Sequence, residues 1–214
     1  MKKMFTLWFF LTMMMSGYAQ TTINCEEQLQ LVLNKVKEEK GMSGVYNHVN
    51  TLKRLSGLCP GEWLPDYYIA YFDLQLVLSK ATDRPADLLQ EAAEKLAVLK
   101  SNAKANASEV YTLEGYYYYA MIAQDPAVNG QKYFREVVAG YEKAIRLDPS
   151  NPRPQLQLAI FQNRMAAFMK QTDNGFCDKL QQLEQTFRDF KPASAVAPGW
   201  GLPELLYVRQ NNCH

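Results

Sequence analysis

Tyr141-Glu-Lys-Ala-Ile-Arg-Leu-Asp-Pro149 is the stretch of sequence that decides the fold. It continues with Ser150-Asn-Pro152 and with a new apolar run that begins at Leu156. A periodic apolar segment that meets a polar turn with prolines and then resumes its period marks a helix end followed by a helix start. The stretch therefore predicts a helix, a tight turn and a second helix.

Apolar residues recur at helical spacing on both sides of this turn, and clusters of Gly, Pro, Asn and Asp separate the runs. The polar loop from Asp125 contains Asn129-Gly130, so the helix after it is predicted to begin only at about residue 131. In all, the pattern predicts eight helices and a short last one, at about 21–41, 43–55, 63–80, 86–100, 108–123, 131–147, 153–170, 177–190 and 203–209.

Three small residues mark a repeat of these helices. Ala70, Gly115 and Ala159 are separated by 45 and then 44 positions, and each suits a place where two helices cross closely. A period in this range indicates helical hairpins that stack into a solenoid, because a single hairpin cannot bury both of its faces.

The chain resembles the tetratricopeptide repeat family, although its unit is longer than that family's repeat of about 34 residues. The resemblance implies an all-α fold, a right-handed stack of antiparallel helical hairpins with about eight helices and a short C-terminal cap. It is similar in this respect to small exported bacterial proteins with divergent repeats. The match is best in the unit that carries Tyr111, Gly115, Tyr118, Tyr141, Ala144 and Pro149.

The N-terminus is typical of an export signal: Lys2 and Lys3 precede an apolar run, and small residues lead to Ala19. Cleavage there would send the chain to the periplasm or beyond. The apolar run is shorter than the roughly 20 residues that a membrane span needs, so a retained membrane anchor is the minor alternative, and no later apolar stretch is long enough either. The sequence thus predicts a signal peptide (1–19) and one domain (20–214), with an N-terminal hairpin (21–61), repeats 1 to 3 (62–101, 108–149, 153–191) and a C-terminal cap (192–214).

The charge of the chain excludes one class of partner. Because the predicted signal holds two lysines and no acidic residue, its removal takes the net charge from +1 to −1. A nucleic-acid-binding protein would present a clustered basic face. We therefore expect no nucleic-acid partner.

Four cysteines lie after the predicted signal, and four allow three pairings. In an antiparallel hairpin of the first two helices, Cys25 and Cys59 fall at the same end. Cys177 and Cys213 then flank the final helix and tail. We favour these two pairings as structural disulfides of an exported protein, since no Cys-x-x-Cys spacing suggests redox chemistry.

The sequence shows no catalytic or cofactor motif. Gly-x-Ser-x-Gly, His-Glu-x-x-His and phosphate-binding glycine loops are absent, and neither His48 nor His214 has a second ligand at helical spacing. We expect no enzyme activity, no metal and no cofactor. A hydrolase with two carboxylates distant in the chain ranks last among the function hypotheses.

Tyrosines are the feature that points to binding. The family resemblance implies that inward positions of the first helices line a concave groove, here Tyr67, Tyr71, Tyr116, Tyr119 and Asn163, with Glu109 and Arg153 nearby. Tyr suits a groove because it offers a rigid face and one hydroxyl. For the rings themselves, packing between layers of the stack is favoured over a ligand groove, and two of the four consecutive tyrosines 116–119 are core under either interpretation.

The leading hypothesis is a non-catalytic scaffold that binds a peptide or protein surface in this groove. The second hypothesis is an accessory protein that binds a small molecule or a glycan by stacking on the same tyrosines.

Overall fold

The computed structural model describes residues 23–171 and 175–213, so the predicted signal peptide lies outside the described residues. Within those ranges all regular structure is helical, and the predicted all-α fold is confirmed. The helices are α1 (Cys25–Glu38), α2 (Met42–Leu58), α3 (Trp63–Leu78), α4 (Pro85–Ser101), α5 (Ala107–Gln124), α6 (Pro126–Leu147), α7 (Pro152–Phe168), α8 (Phe176–Asp189) and α9 (Leu202–Asn212).

Short polar side chains begin several helices. The side chains of Asn24, Asn106 and Asn151 each accept a backbone N–H from the first turn of α1, α5 and α7. Proline occupies the first turn of α4, α6, α7 and α9. Backbone N–H groups in the first turn make no hydrogen bond within the helix, so proline, which lacks an N–H, is tolerated there. The turn around Pro149 therefore launches α7 as the sequence predicts.

The predicted start of α6, at about residue 131, was wrong by more than one helical turn. The helix begins at Pro126, because the Asp125 side chain caps it by accepting the N–H of Val128. Asn129 does not form a loop, since its side chain donates to the carbonyl of Met121 at 2.8 Å. The helix then continues through Gly130.

Consecutive helices pack against one another throughout the described chain, which gives the stack of antiparallel hairpins. In addition, α3 contacts α5, and α5 contacts α7, so the first helices of successive hairpins form a continuous inner layer. The division of the chain into an N-terminal hairpin, three repeats and a cap stays a prediction.

The helices α5 and α6 approach each other closely at two glycines. A Cβ atom on Gly115 would lie 2.7 Å from the ring of Tyr141, and one on Gly140 would lie 2.8 Å from the backbone nitrogen of Gly115. Glycine at both positions lets the two backbones meet. Tyr141 fills the space beside them and is fully buried.

Both predicted disulfides are confirmed. Cys25 pairs with Cys59 and joins α1 to the end of α2, whereas Cys177 pairs with Cys213 and joins α8 to the residue after α9. Each therefore fastens one end of the stack. For loops of this length, the chain-entropy model gives about 3–4 kcal/mol of stabilisation per bridge.

One buried carboxyl group leads us to expect that the stability of the fold depends on pH. The side chain of Asp73 on α3 has no solvent exposure, and neither of its oxygens has a hydrogen-bond partner among the described residues. Burial, with a smaller contribution from Glu91, raises the pKa of Asp73 to about 8 against the opposing effect of Lys53 and Lys95.

We expect the free energy of unfolding to fall as pH rises between about 4 and 8. The folded chain keeps the Asp73 proton up to pH about 8, whereas the unfolded chain releases it near the ordinary value of about 4. The stabilisation from protonated Asp73 is fully present below the pKa of the unfolded chain. It decreases as pH rises towards the pKa of the folded chain, by up to about 1.4 kcal/mol per pH unit. Urea unfolding of wild type and Asp73→Asn at several pH values checks this. The variant should show a smaller slope, and an identical slope in both proteins would contradict the assignment.

Candidate functional site

A cleft of about 970 Å³ opens between the first helix, the inner layer and the C-terminal part of the chain. The helix α1 contributes Leu33, Val36 and Lys37, and α9 contributes Pro203, Glu204 and Tyr207. The floor is one face of α3, where residues three, four and seven positions apart point the same way: Tyr68, Tyr71, Phe72 and Gln75.

The remaining side of the cleft is formed by the connecting segment 190–201, which runs between α8 and α9. It lines the cleft with small residues and with Trp200: Pro192, Ser194, Ala195, Ala197, Gly199 and Gly201. The hydroxyl of Tyr68 donates to the carbonyl of Val196 at 2.9 Å, and the Val196 side chain is buried. This bond fixes the segment over the inner layer.

The end of the connecting segment requires glycine. Gly201 has a φ of +112°, which L side chains rarely adopt, and a Cβ atom there would lie 2.6 Å from the ring of Phe187. The chain can therefore turn sharply into α9 while it stays packed on α8. Trp200, the residue before this turn, is held in a fixed place as a result.

Trp200 inserts into the concave face and stacks on its tyrosines. Its ring centroid lies 4.8 Å from that of Tyr71 and 6.2 Å from that of Tyr116, with interplanar angles of 22° and 30°. Its indole nitrogen donates to the hydroxyl of Tyr67 at 2.8 Å. Offset stacks of this kind add to the free energy of simple burial.

A buried ion pair lies beneath Trp200. The guanidinium Nε of Arg153 on α7 donates to Oε1 of Glu109 on α5 at 3.0 Å, and both side chains are at most 4% exposed. Tyr67 donates to the same carboxylate at 2.8 Å and Asn151 at 2.7 Å. The network thus ties three inner helices to the cleft wall.

The tyrosines predicted for a groove lie at two depths. Tyr71 lines the cleft, whereas Tyr67, Tyr116 and Tyr119 are buried, and Trp200 covers Tyr67 and Tyr116. Asn163 lines a separate, smaller cavity of about 310 Å³ beside α6 and α8. The structure therefore brings one of the five residues to the cleft.

Several cleft residues escaped the sequence prediction. Tyr68, Phe72 and Tyr207 line the cleft, as does Trp200. The one sequence signal for these residues was the change in composition to Pro, Ala and Gly around Trp200, which distinguished this segment from the helices. Nothing in the local pattern showed where that segment would pack.

The phenols of Tyr68 and Tyr71 on the floor of the cleft are neutral groups. Burial is the largest effect that raises the pKa of Tyr68 and Tyr71, so both remain protonated across the physiological range. Burial also raises the pKa of Glu204, although the amide of Gln157 donates to its carboxylate at 2.7 Å and acts in the opposite direction. The cleft is consequently apolar and aromatic, with charged groups only at Lys37 and Glu204.

The cleft offers few atoms to a metal. None of its lining residues is His, Cys or Met. Across residues 23–171 and 175–213, no cluster of three His, Cys, Asp or Glu side chains could hold an ion. In the same ranges, each helix is too short or too polar to cross a bilayer.

No protein-family model matches the chain, and no curated protein matches its sequence. Among solved structures, the chain is similar to the HusA haemophore from Porphyromonas gingivalis, with a TM-score of 0.77 and 17% sequence identity. The match covers 89% of this chain and 94% of that chain. At this identity the likeness shows a shared helical fold.

Proposed function

We propose that this protein is a non-catalytic binding protein that holds a large, flat, mostly apolar molecule of the porphyrin class in the aromatic cleft. The observation that carries the proposal is the cleft itself, whose volume of about 970 Å³ is bounded by Tyr68, Tyr71, Phe72 and Trp200. Ligand pockets of this kind range over roughly 300–1,000 Å³ and are lined mainly by apolar and aromatic groups. This cleft suits a ligand at the upper end of that range.

The similar solved structure gives the proposal its ligand class. That protein is a haemophore by name, and the two chains align over nearly their whole lengths. A tetrapyrrole is a planar, largely apolar disc, which matches an open cleft with an aromatic floor. We therefore extend the small-molecule hypothesis of the sequence to a tetrapyrrole ligand.

The lining residues favour recognition of the ring over coordination of iron. Haem iron in proteins is held by His, Cys, Met or Tyr, and only tyrosines are present in the cleft. The Tyr68 hydroxyl already donates to Val196, and the Tyr71 hydroxyl accepts from Gln75 at 3.0 Å. The cleft residues would bind the ring by contact and exclude water, so a metal-free porphyrin should bind about as tightly as haem.

The peptide-groove hypothesis has less support. A peptide on the concave tyrosines would have to displace Trp200, which stacks on Tyr71 and hydrogen-bonds to Tyr67. The connecting segment thus already occupies the place of such a peptide. A tetrapyrrole needs no displacement, because the cleft is open beside that segment.

Export also belongs to the proposal. Two disulfides join the cysteines of the described chain, and disulfides persist mainly in oxidising compartments. A periplasmic or secreted binding protein with tetratricopeptide-like repeats would fit that location. Its role would be to carry a poorly soluble ligand through water.

The proposed function is tested by a substitution that fills the cleft and changes no core residue. Ala195 lines the cleft and is exposed, so Ala195→Trp adds an indole to the ligand space. We expect it to weaken binding of metal-free mesoporphyrin IX by about tenfold or more, equivalent to about 1.4 kcal/mol. Titration followed by porphyrin absorbance and by quenching of tryptophan fluorescence measures the affinity.

Ala193→Trp is the matched control, because Ala193 lies two positions away, is exposed and does not line the cleft. It should bind as wild type does. Equal affinity in the two variants, or no porphyrin binding by wild type at any workable concentration, would contradict the proposed function. Capture of a peptide library or saccharides by wild type, and not by Ala195→Trp, would favour the other hypotheses.

A further inference from the structure

The two charged residues of the cleft come from different walls. Lys37 lies near the end of α1, and Glu204 lies in the first turn of α9. The other lining residues are apolar or neutral. A ligand in the cleft would therefore meet one cation and one carboxyl group, and their positions fix how an acidic ligand is oriented.

Lys37 has no acidic partner in the described part of the chain. The ion pairs there use other basic residues, such as Lys53 with Glu91 and Lys95 with Asp66. Its side chain is exposed, so the ammonium lies in water at the cleft rim. A long lysine stem can lie along apolar surface while its head pairs with an anion.

Glu204, unlike Lys37, already has a hydrogen-bond partner within the ranges that the structure describes. Its carboxylate is bonded to Gln157, and burial raises its pKa, which shows that a negative charge is already unfavourable there. A second carboxylate beside it would add like-charge repulsion in a poorly solvated place. The α9 wall thus disfavours the acidic edge of a ligand.

We propose that the ligand carries a carboxylate on one edge, that this carboxylate pairs with Lys37 at the α1 rim, and that Glu204 keeps it away from the α9 wall. This inference rests on the proposed function and adds the charge and orientation of the ligand. The apolar edge of the ring then faces Trp200 and α9, and the acidic edge faces solvent beside α1.

The experiment compares mesoporphyrin IX, a dicarboxylic acid, with its dimethyl ester, both metal-free and in the same cosolvent. Lys37→Ala should bind the diacid about two- to fivefold more weakly than wild type does, as expected for a solvent-exposed ion pair. It should bind the ester unchanged. Added salt should weaken diacid binding to wild type and have less effect on the variant, because salt screens an exposed pair.

Lys35→Ala is the control, since Lys35 is also exposed on α1 and does not line the cleft. It should bind both probes as wild type does. The inference is overturned if Lys37→Ala and Lys35→Ala bind the diacid equally, or if Lys37→Ala loses diacid and ester alike. Failure of wild type to bind either probe would instead overturn the proposed function, so the two failures can be told apart.

Discussion

Replacing Arg153 with Met is expected to lower the free energy of unfolding by about 3–5 kcal/mol. The guanidinium is 2% exposed and compensates the carboxylate of Glu109, which is also buried. Without it, that carboxylate keeps only the neutral donors Tyr67 and Asn151. A buried charge that loses its partner costs far more than the pair itself contributes.

Urea unfolding followed by far-ultraviolet circular dichroism measures this loss. Arg146→Met is the matched control, because Arg146 pairs with Glu142 on the exposed face of α6 at 3.6 Å. Such a pair contributes about 0.3–0.5 kcal/mol. Equal losses in the two variants would contradict the structural role of Arg153.

A double variant separates the charge from the packing. Glu109→Gln combined with Arg153→Met leaves no charge in the buried network and should recover part of the loss that Arg153→Met causes. The guanidinium also lies 4.6 Å from the ring centroid of Phe190, at the start of the connecting segment. The remaining loss would measure this packing and the hydrogen bonds of Tyr67.

The fold was predictable because its decisive signals are local. The turn at Pro149 and the caps of the helices involve neighbours in sequence, and Gly115 was recognisable from its spacing to Ala70 and Ala159. The Cys25–Cys59 disulfide followed from which helix ends meet in a hairpin, and Cys177 and Cys213 were the pair that remained. The start of α6 was missed because Asn129-Gly130 also occurs in turns, and only the bond to Met121 shows that it is helical.

The cleft was not predictable because its contacts are remote in sequence. Trp200 bonds to Tyr67 across 133 positions, and Tyr68 bonds to Val196 across 128. Hydrophobic periodicity decides which face of a helix is buried, but not what covers that face. The family resemblance therefore implied an open concave groove, whereas the connecting segment fills part of that groove and creates a narrower site.

The second large effect is expected at the tight contact between α5 and α6, where Gly140→Ala should lower the free energy of unfolding by about 2–3 kcal/mol. The added methyl would lie 2.8 Å and 2.9 Å from the nitrogen and Cα of Gly115, and 3.3 Å from the carbonyl oxygen of Tyr111. These are backbone atoms, so no side-chain rotation relieves the contact, and α5 and α6 must separate. The strain outweighs the gain in helix propensity, about 1 kcal/mol.

Gly130→Ala makes the same chemical change in the same helix with the opposite expected sign. No atom lies within 4 Å of a Cβ at Gly130, so only the propensity term remains and the variant should be more stable by about 0.5–1 kcal/mol. Thermal and urea unfolding of both variants provide the comparison. If Gly140→Ala were as stable as Gly130→Ala, the α5–α6 contact would not be as tight as the structure indicates. Both glycines lie in α6, so helix propensity affects them alike. Opposite changes in stability would therefore show that Gly140 is required because there is no room for a side chain between α5 and α6.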